Sequence, residues 1–351
     1  MQRTTSRIPS LDGLRAVSIL LVLWCHASLT YGFPGRHPWE QWFGQFGLYH
    51  GEFGVGIFFV ISGYLITTLL MREREKTGRI SLGKFYVRRA FRIFPAAYVY
   101  LLVITVVEWQ TIAKGPLLAS YLYGMDFVRK PPWDLLHLWS LAVEEQFYLL
   151  WPAALVLFWN KKEKIAIGAI VAALCFRVAF LLWGLTDLMP YTFPCVQDAL
   201  AAGCLLAMCR DRIPTKLVDR WVLPILILVL AANEFKMPDG VYALLVQTPR
   251  NLGIALLVDH CMRKEYRLLN WGPVVWLGTI SYSLYLWQMP FLMPIARAHA
   301  SHEWIKFPYN VGFALAAACA SYYLVERPVL RVRDRIFRKP YVEAKVVATT
   351  A

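Results

Sequence analysis

Charged residues are scarce in this sequence. They make up 17% of its 351 residues, whereas 58% are hydrophobic. A soluble domain is nearer to one quarter charged, and no polar stretch is long enough to form a separate core. Long uncharged runs recur instead, which indicates a polytopic membrane protein embedded in a lipid bilayer.

The cysteines show no pattern of paired ligands. All seven are scattered along the chain, several lie inside apolar runs, and no CxxC pair occurs. This distribution argues against a disulfide framework and against a zinc site. We therefore expect no bound metal.

The apolar runs predict an all-α protein with about ten transmembrane helices. We expect residues 1–330 to form one transmembrane domain and residues 331–351 to form a basic cytoplasmic tail. The ten predicted helices cover approximately residues 12–30, 53–71, 92–109, 138–159, 164–184, 196–209, 219–233, 241–262, 272–296 and 307–325.

The distribution of Lys and Arg predicts the orientation of these helices. With the N-terminus in the cytoplasm, 27 of the 37 basic residues fall in inner segments and 7 in outer loops. Such an excess is typical of cytoplasmic loops, so both termini are expected inside. The net charge of +14 then reflects topology and attraction to anionic lipid rather than binding of nucleic acid. No small-residue cleavage site follows the first apolar run, so we expect that helix to be retained.

The first predicted helix carries two ionisable residues on one face. Arg15 and His26 are eleven residues apart, which places their side chains on the same stripe about 16 Å apart along the axis. Ionisable groups inside a membrane are costly and usually functional. Imidazole titrates near neutral pH, so His26 is a candidate general base. The alternative for His26 is a structural histidine bonded to a carbonyl group.

Arg15 also has a structural interpretation. Near the inner end of the helix, its side chain could extend to the lipid headgroups. Asp12, three residues earlier, could pair with Arg15 on the same face or cap the helix.

A basic segment follows the second predicted helix. Residues 72–92 contain eight Lys and Arg residues. Arg89 and Arg92 lie side by side if this segment is helical, and paired guanidinium groups suit phosphate oxygens. The segment is therefore a candidate binding site for a phosphate-bearing donor, although its charges also serve topology and anionic lipid.

The fourth predicted helix has a narrow polar stripe on an apolar background. His137, Ser140, Glu144 and Tyr148 fall on one face, and Glu145 lies roughly 80° away from it. Burying two adjacent glutamates in a membrane helix costs free energy unless partners stabilise them. We interpret Ser140, Glu145 and Tyr148 as residues that contact the acceptor or support the site.

Two roles are open for Glu144. It could bind the acceptor or orient His26, or it could form a structural ion pair with Arg177 or Arg250. Other polar residues inside predicted helices, which could line a cavity or pair with one another, are Gln197, Asp198 and Asn251.

Four glycines lie in the segment GEFGVGIFFVISGYLI, at positions 51, 54, 56 and 63. A phosphate-binding loop is disfavoured, because the predicted orientation puts the first three on the outer side. Close packing of helices is the better explanation.

Three of these segments resemble the acyltransferase-3 family of integral membrane acyltransferases. The opening LDGLRAVSILLVLWCH is similar to the family's Arg-x10-His signature, which falls on Arg15 and His26. RRAFRIFPAAY is similar to its Arg-x-x-Arg stretch, which falls on Arg89 and Arg92. GVGIFFVISGYLI resembles the motif of its second helix.

The resemblance continues through most of the chain. HLWSLAVEEQFYLLWP is similar to the family's block of Trp-Ser-Leu and Glu-Gln-Phe-Tyr, with Glu144 and Glu145 in place. ISYSLYLWQMP and VERP resemble its late-helix motifs. The sequence departs from the family at Gln288, where members often have histidine.

The resemblance implies O-acylation. The donor would be cytosolic acyl-CoA, expected to be acetyl-CoA, as a co-substrate without a permanently bound cofactor. The acceptor would be a hydroxyl of a cell-surface or lipid-linked glycan, so the activity would modify polysaccharide at the plasma membrane of a bacterium. We expect a stand-alone member without the extracellular esterase-like domain of some relatives. Transfer could be direct, with His26 as base, or pass through acyl-His26.

Two other functions fit the residues without the resemblance. One is a transporter or flippase for a polyprenyl-linked sugar, although no pair of matched interrupted helices, the usual sign of a transport site, is evident. The other is a membrane scaffold, which would tolerate loss of His26. The acceptor, the acyl chain, the oligomeric state and the roles of Arg177, Asp198 and Arg250 stay open.

Overall fold

The protein is entirely helical in the part that the structure, a computed structural model, describes: residues 10–35, 37–234, 238–295 and 306–337. The helices are α1 Leu11–Ala27, α2 Pro38–Thr77, α3 Leu82–Val107, α4 Lys114–Tyr121, α5 Trp133–Leu136, α6 Leu138–Leu157, α7 Lys162–Leu182, α8 Phe193–Cys209, α9 Thr215–Glu234, α10 Asp239–Leu245, α11 Gln247–Lys264, α12 Gly272–Trp287, α13 Tyr309–Ser321 and α14 Arg327–Ile336. The predicted all-α class is confirmed.

Every predicted apolar segment coincides with a helix, but several boundaries differ. α2 begins at Pro38, well before predicted residue 53, because Glu40 Oε2 accepts a hydrogen bond from the His37 backbone N–H in a capping box. The predicted helix 241–262 is two helices, since the Pro249 ring cannot pack against the preceding turn. α12 ends at Trp287, shortly before Pro290.

The last two helices, α13 and α14, are continuous. α13 continues through a π-helical turn, Tyr322–Glu326, into α14. Residue 331, the expected start of a basic tail, therefore lies inside a helix. The remainder of that tail, residues 338–351, lies outside the described residues.

Three segments are long and apolar enough to cross a membrane by length and composition: Pro38–Thr77, Leu82–Val107 and Trp159–Leu182. Large apolar side chains are also exposed on the helical surface, among them Val106 and Leu182, as expected for lipid-facing positions. The protein is a membrane protein. Ten spans with both termini in the cytoplasm stay a prediction.

The long helix α2 lies at the centre of the bundle, in contact with α1, α6, α8 and α11. Glycines allow α2 and α8 to pack this closely. A Cβ atom added to Gly63 would lie 2.0 Å from the backbone oxygen of Leu200 on α8, and one added to Gly203 of α8 would lie 2.1 Å from the oxygen of Val60. The prediction that the glycines of this segment serve close helix packing is confirmed.

This crossing predicts a difference between two Gly→Ala substitutions. Gly63→Ala should destabilise the protein by about 1–3 kcal/mol, because the methyl group must displace the backbone of α8. Gly168→Ala, on α7, is the matched control, since nothing lies within 4 Å of the added Cβ; it should be neutral or slightly stabilising. Thermal unfolding of the detergent-solubilised protein measures both. Equal stability of the two variants would contradict the close contact.

Candidate active site

The residues singled out in distant segments of the sequence meet around one cavity. It measures about 730 Å³ and lies between α1, α2, α3, α6 and α12. We call it the central cavity. Its polar side chains are Arg15, Ser62, Arg89, Arg92, Ser140, Glu144, Tyr148, Ser281, Tyr282 and Tyr285.

One wall of the central cavity carries three arginines. Arg15 Nη1 lies 3.5 Å from Asp12 Oδ1, so the pairing interpretation of Asp12 is confirmed. The guanidinium carbon of Arg89 lies 4.0 Å from the centre of the Tyr148 ring, a cation–π contact. A wall with this concentration of positive charge favours an anionic ligand.

A second pocket, the Glu326 pocket, adjoins this wall. It measures about 450 Å³ and shares Arg15 and Arg92 with the central cavity. Arg92 Nη1 lies 3.8 Å from Glu326 Oε1, and the other Glu326 oxygen accepts a hydrogen bond of 3.0 Å from Ser283 Oγ. Glu326 ends the π-helical turn, a distortion frequent at functional sites. Sequence reasoning missed this partner of Arg92, although Glu326 belongs to the VERP motif.

Glu144 of α6 also lines the central cavity. Its Oε1 accepts a hydrogen bond of 2.5 Å from Ser62 Oγ of α2. The two arginines proposed as ion-pair partners bind other carboxylates: Arg177 Nη2 lies 2.8 Å from Asp198 Oδ1, and Arg250 Nη1 lies 3.1 Å from Glu52 Oε2. Glu144 therefore faces the cavity without either of those pairs.

The two residues that directly follow Glu144, Glu145 and Gln146, do not line the central cavity. The buried Oε1 of Glu145 has no hydrogen-bond partner in the described part of the chain. Gln146 Nε2 donates to Asp126 Oδ1 at 2.9 Å, in the turn between α4 and α5. Asp126 Oδ2 accepts the backbone N–H of Phe193, and burial raises the pKa of Asp126 to about 6. This part of the motif joins α6 to the neighbouring connections.

His26 occupies a separate position at the end of α1. It is not among the residues that line the central cavity. Its Nδ1 lies 3.2 Å from Gln288 Oε1, and its ring packs edge-on against Trp133, with 5.6 Å between ring centres. The group that orients His26 is therefore Gln288, whereas Glu144 binds Ser62.

The partners of Gln288 determine the tautomer of His26. Gln288 Nε2 donates to the backbone oxygen of Tyr285 at 3.3 Å, so its Oε1 faces His26. Because Oε1 can only accept, Nδ1 carries the hydrogen of the neutral imidazole. His26 Nε2 then holds the lone pair, which is the state that a general base requires.

Tyr285 connects His26 to the central cavity. Its side chain lines the cavity, and its hydroxyl lies 2.6 Å from Ser140 Oγ and donates to the backbone oxygen of His137 at 2.9 Å. Its carbonyl oxygen holds Gln288. Tyr285 and Gln288 therefore connect the imidazole to the lining of the central cavity.

The chain is similar in sequence to known acyltransferases. A family profile described as an acyltransferase domain matches residues 8–326. The chain is 28% identical to "Peptidoglycan O-acetyltransferase OatA" of Listeria monocytogenes, over 94% of this chain and 57% of that protein. It is 29% identical to "Putative peptidoglycan O-acetyltransferase YrhL" of Bacillus subtilis, over 95% of this chain and 56% of that protein.

The chain thus spans little more than half the length of these relatives. No solved structure matches it. The family profile, however, extends from just before α1 to the end of the π-helical turn. It therefore includes the central cavity, the Gln288–His26 pair and all of the Glu326 pocket except Leu330. On this evidence the chain belongs to the acyltransferase-3 family of membrane acyltransferases.

Proposed function

We propose that this protein transfers an acetyl group from cytosolic acetyl-CoA to a hydroxyl of a bacterial cell-surface glycan. The observation that carries the proposal is the arrangement of one cationic cavity beside an imidazole whose Nε2 holds the lone pair. The names of the relatives support O-acetylation and make a peptidoglycan sugar the first acceptor to test. The site would lie in the plasma membrane, with the donor entering from the cytoplasm.

The donor binds through its phosphates in this proposal. Coenzyme A is strongly anionic, and Arg15, Arg89 and Arg92 line one wall. Their guanidinium groups present planar donors that suit phosphate oxygens. Arg92, which is shared with the Glu326 pocket, exchanges its carboxylate partner for phosphate when the donor enters.

The acceptor hydroxyl approaches His26 from the other end. His26 Nε2 removes the hydroxyl proton as the oxygen attacks the thioester carbonyl. The carbon–sulfur bond then breaks, and the coenzyme A thiolate leaves and takes the proton back from the imidazolium. A group that stabilises the oxyanion has to lie close to His26 Nε2. Arg15, about 16 Å along α1 from His26, therefore binds the donor phosphates and not the oxyanion. Glu144 contributes by binding the acceptor.

Removal of the imidazole tests the role of His26 as the general base. His26→Ala should reduce transfer of radiolabelled acetyl groups from acetyl-CoA to glycan by about 100-fold or more, because no other group replaces the base. The assay uses membranes with matched expression and endogenous lipid-linked glycans. His50→Ala is the control, since His50 is also a helical histidine and its Nδ1 lies 2.7 Å from the backbone oxygen of Phe46. Undiminished labelling of glycan in His26→Ala would overturn the assignment.

Removal of one arginine tests the wall that binds the donor. Arg89→Ala should raise the KM for acetyl-CoA by about tenfold or more, as expected for loss of a charge-assisted hydrogen bond. Its neighbour Arg88, which packs on the Phe337 ring rather than in the central cavity, gives the control Arg88→Ala. Steady-state kinetics at varied acetyl-CoA measure both. Equal KM values would place the phosphates elsewhere, and a transporter would show no dependence on acetyl-CoA.

Two substitutions of Gln288 separate the positioning of His26 from general packing. Gln288→Leu should lower kcat by about 10- to 100-fold with little change in KM for acetyl-CoA, because the acceptor for His26 Nδ1–H is lost. Gln288→His should restore most of the rate, since an imidazole nitrogen also accepts this hydrogen bond. If leucine and histidine behave alike, Gln288 does not act by orienting His26.

A further inference from the structure

A third pocket lies on the face of α2 next to the face that lines the central cavity. It measures about 320 Å³ and is formed by residues of α2, α6, α8 and α11 together with Pro190. We call it the Asn251 pocket. Val55 and Phe59 of α2 line both this pocket and the central cavity. Its polar side chains are Glu52, Gln247, Arg250 and Asn251. The aromatic side chain of Trp139 also lines it.

A buried polar network holds one wall of this pocket in place. Asp198 of α8 binds three groups: Arg177 Nη2 at 2.8 Å, Thr248 Oγ1 at 2.6 Å and Asn251 Nδ2 at 3.1 Å. Arg177 itself is 0% exposed and also donates to Thr248 Oγ1 at 2.7 Å. Such an arrangement satisfies the buried charges and fixes the side chains that they contact.

The network leaves one atom of Asn251 without a partner. Because the Asp198 carboxylate can only accept, the amide nitrogen must face it. Asn251 Oδ1 has no hydrogen-bond partner within the described ranges, although Asn251 is only 1% exposed. A Cβ atom built on Gly56 would lie 3.6 Å from this oxygen, so the oxygen faces the α2 wall of the pocket.

The adjacent residue, Arg250, supplies a donor of the same kind. Its Nη1 donates to Glu52 Oε2 and to Tyr242 Oη, both at 3.1 Å. Its Nε is buried and has no partner among the residues that the structure describes. The pocket is therefore lined by side chains that carry one unpartnered donor and one unpartnered acceptor. Buried groups of this kind are rare and call for a ligand or a bound water.

A secondary amide has the complementary pair of groups. We propose that the Asn251 pocket binds the acylamino group of an N-acetylated sugar in the acceptor glycan. Arg250 Nε–H donates to the amide carbonyl, and the amide N–H donates to Asn251 Oδ1. Trp139 packs against the apolar part of the acetamido group. The inference rests on the proposed function, because it names a feature of the acceptor for that same reaction.

The position of the pocket agrees with this ligand. Glu52 is 56% exposed on its side chain and marks the side from which a ligand enters. The shared residues Val55 and Phe59 place the bound sugar next to the central cavity. In this assignment Arg177 and Asp198 are positioning residues for Asn251.

The test compares two acceptors that differ at one group. The purified full-length protein is given acetyl-CoA and either a β-1,4-linked N-acetylglucosamine oligomer or a β-1,4-linked glucose oligomer of equal length. The wild type should favour the N-acetylated oligomer by about tenfold or more in kcat/KM, as expected when unpartnered buried groups discriminate. Asn251→Leu should bring this ratio close to one through loss on the N-acetylated oligomer alone.

The ratio is measured within one preparation, so a partly misfolded variant does not change it. Arg250→Lys, which keeps the charge beside Glu52 but lacks the Nε donor, gives a second measurement and should also lower the ratio. Leu252→Ala, at a partly exposed position outside the pocket, should keep the wild-type ratio.

Three outcomes would overturn the inference. Equal kcat/KM of the wild type on the two oligomers would leave the O-acetyltransferase function in place and reject amide recognition. An unchanged ratio in both Asn251→Leu and Arg250→Lys would assign the pocket to a structural water. Absence of transfer from acetyl-CoA to either oligomer and to membrane glycan would reject the proposed function itself, and the inference with it.

Discussion

The constraint on which this structure depends is the cost of burying charge in an apolar helix bundle. An ionised group there needs a partner of opposite charge or a polar cavity. The bundle meets this requirement in two ways. On one side of α2, Arg177 and Asp198 are fully buried and bind each other. On the other side, three arginines face a cavity whose acidic side chain, Glu144, binds a serine. The first arrangement is closed, and the second is open to an anionic ligand.

The position of α2 follows from its glycines. Because Gly63 allows α8 to approach to backbone contact, the middle of α2 can face the central cavity and the Asn251 pocket with adjacent stripes of one helix. Val55 and Phe59 stand between the two. A bulkier helix would push the walls apart, and the two polar regions would lose their common boundary. Helix packing and the geometry of the site therefore have the same origin.

Sequence patterns predicted the helices well and the site in part. Helical periodicity placed Glu144 and Tyr148 on one face, and the basic run identified Arg89 and Arg92. The periodicity of one helix, however, carries no information about its contacts with other helices. Gln288 is separated from His26 by 262 residues, and its role could not be derived from either segment alone. The same reason hid the contact of Glu326 with Arg92. Pro249 and Pro290 indicated where the predicted helices would be interrupted or end. The prediction followed the apolar runs, which continue past both prolines, and so made these helices too long.

The bond between Gln288 and His26 limits both chemical routes to one atom. Because His26 Nδ1–H donates to Gln288 Oε1, Nε2 is the nitrogen that can accept a proton. Nε2 is also the nitrogen that can attack a thioester. Direct transfer and an acyl-His26 intermediate therefore require the same tautomer and the same Gln288 contact. Loss of the imidazole stops both routes, so a rate alone does not separate them. Acetyl label on the protein, present with His26 and absent without it, is the observation that does.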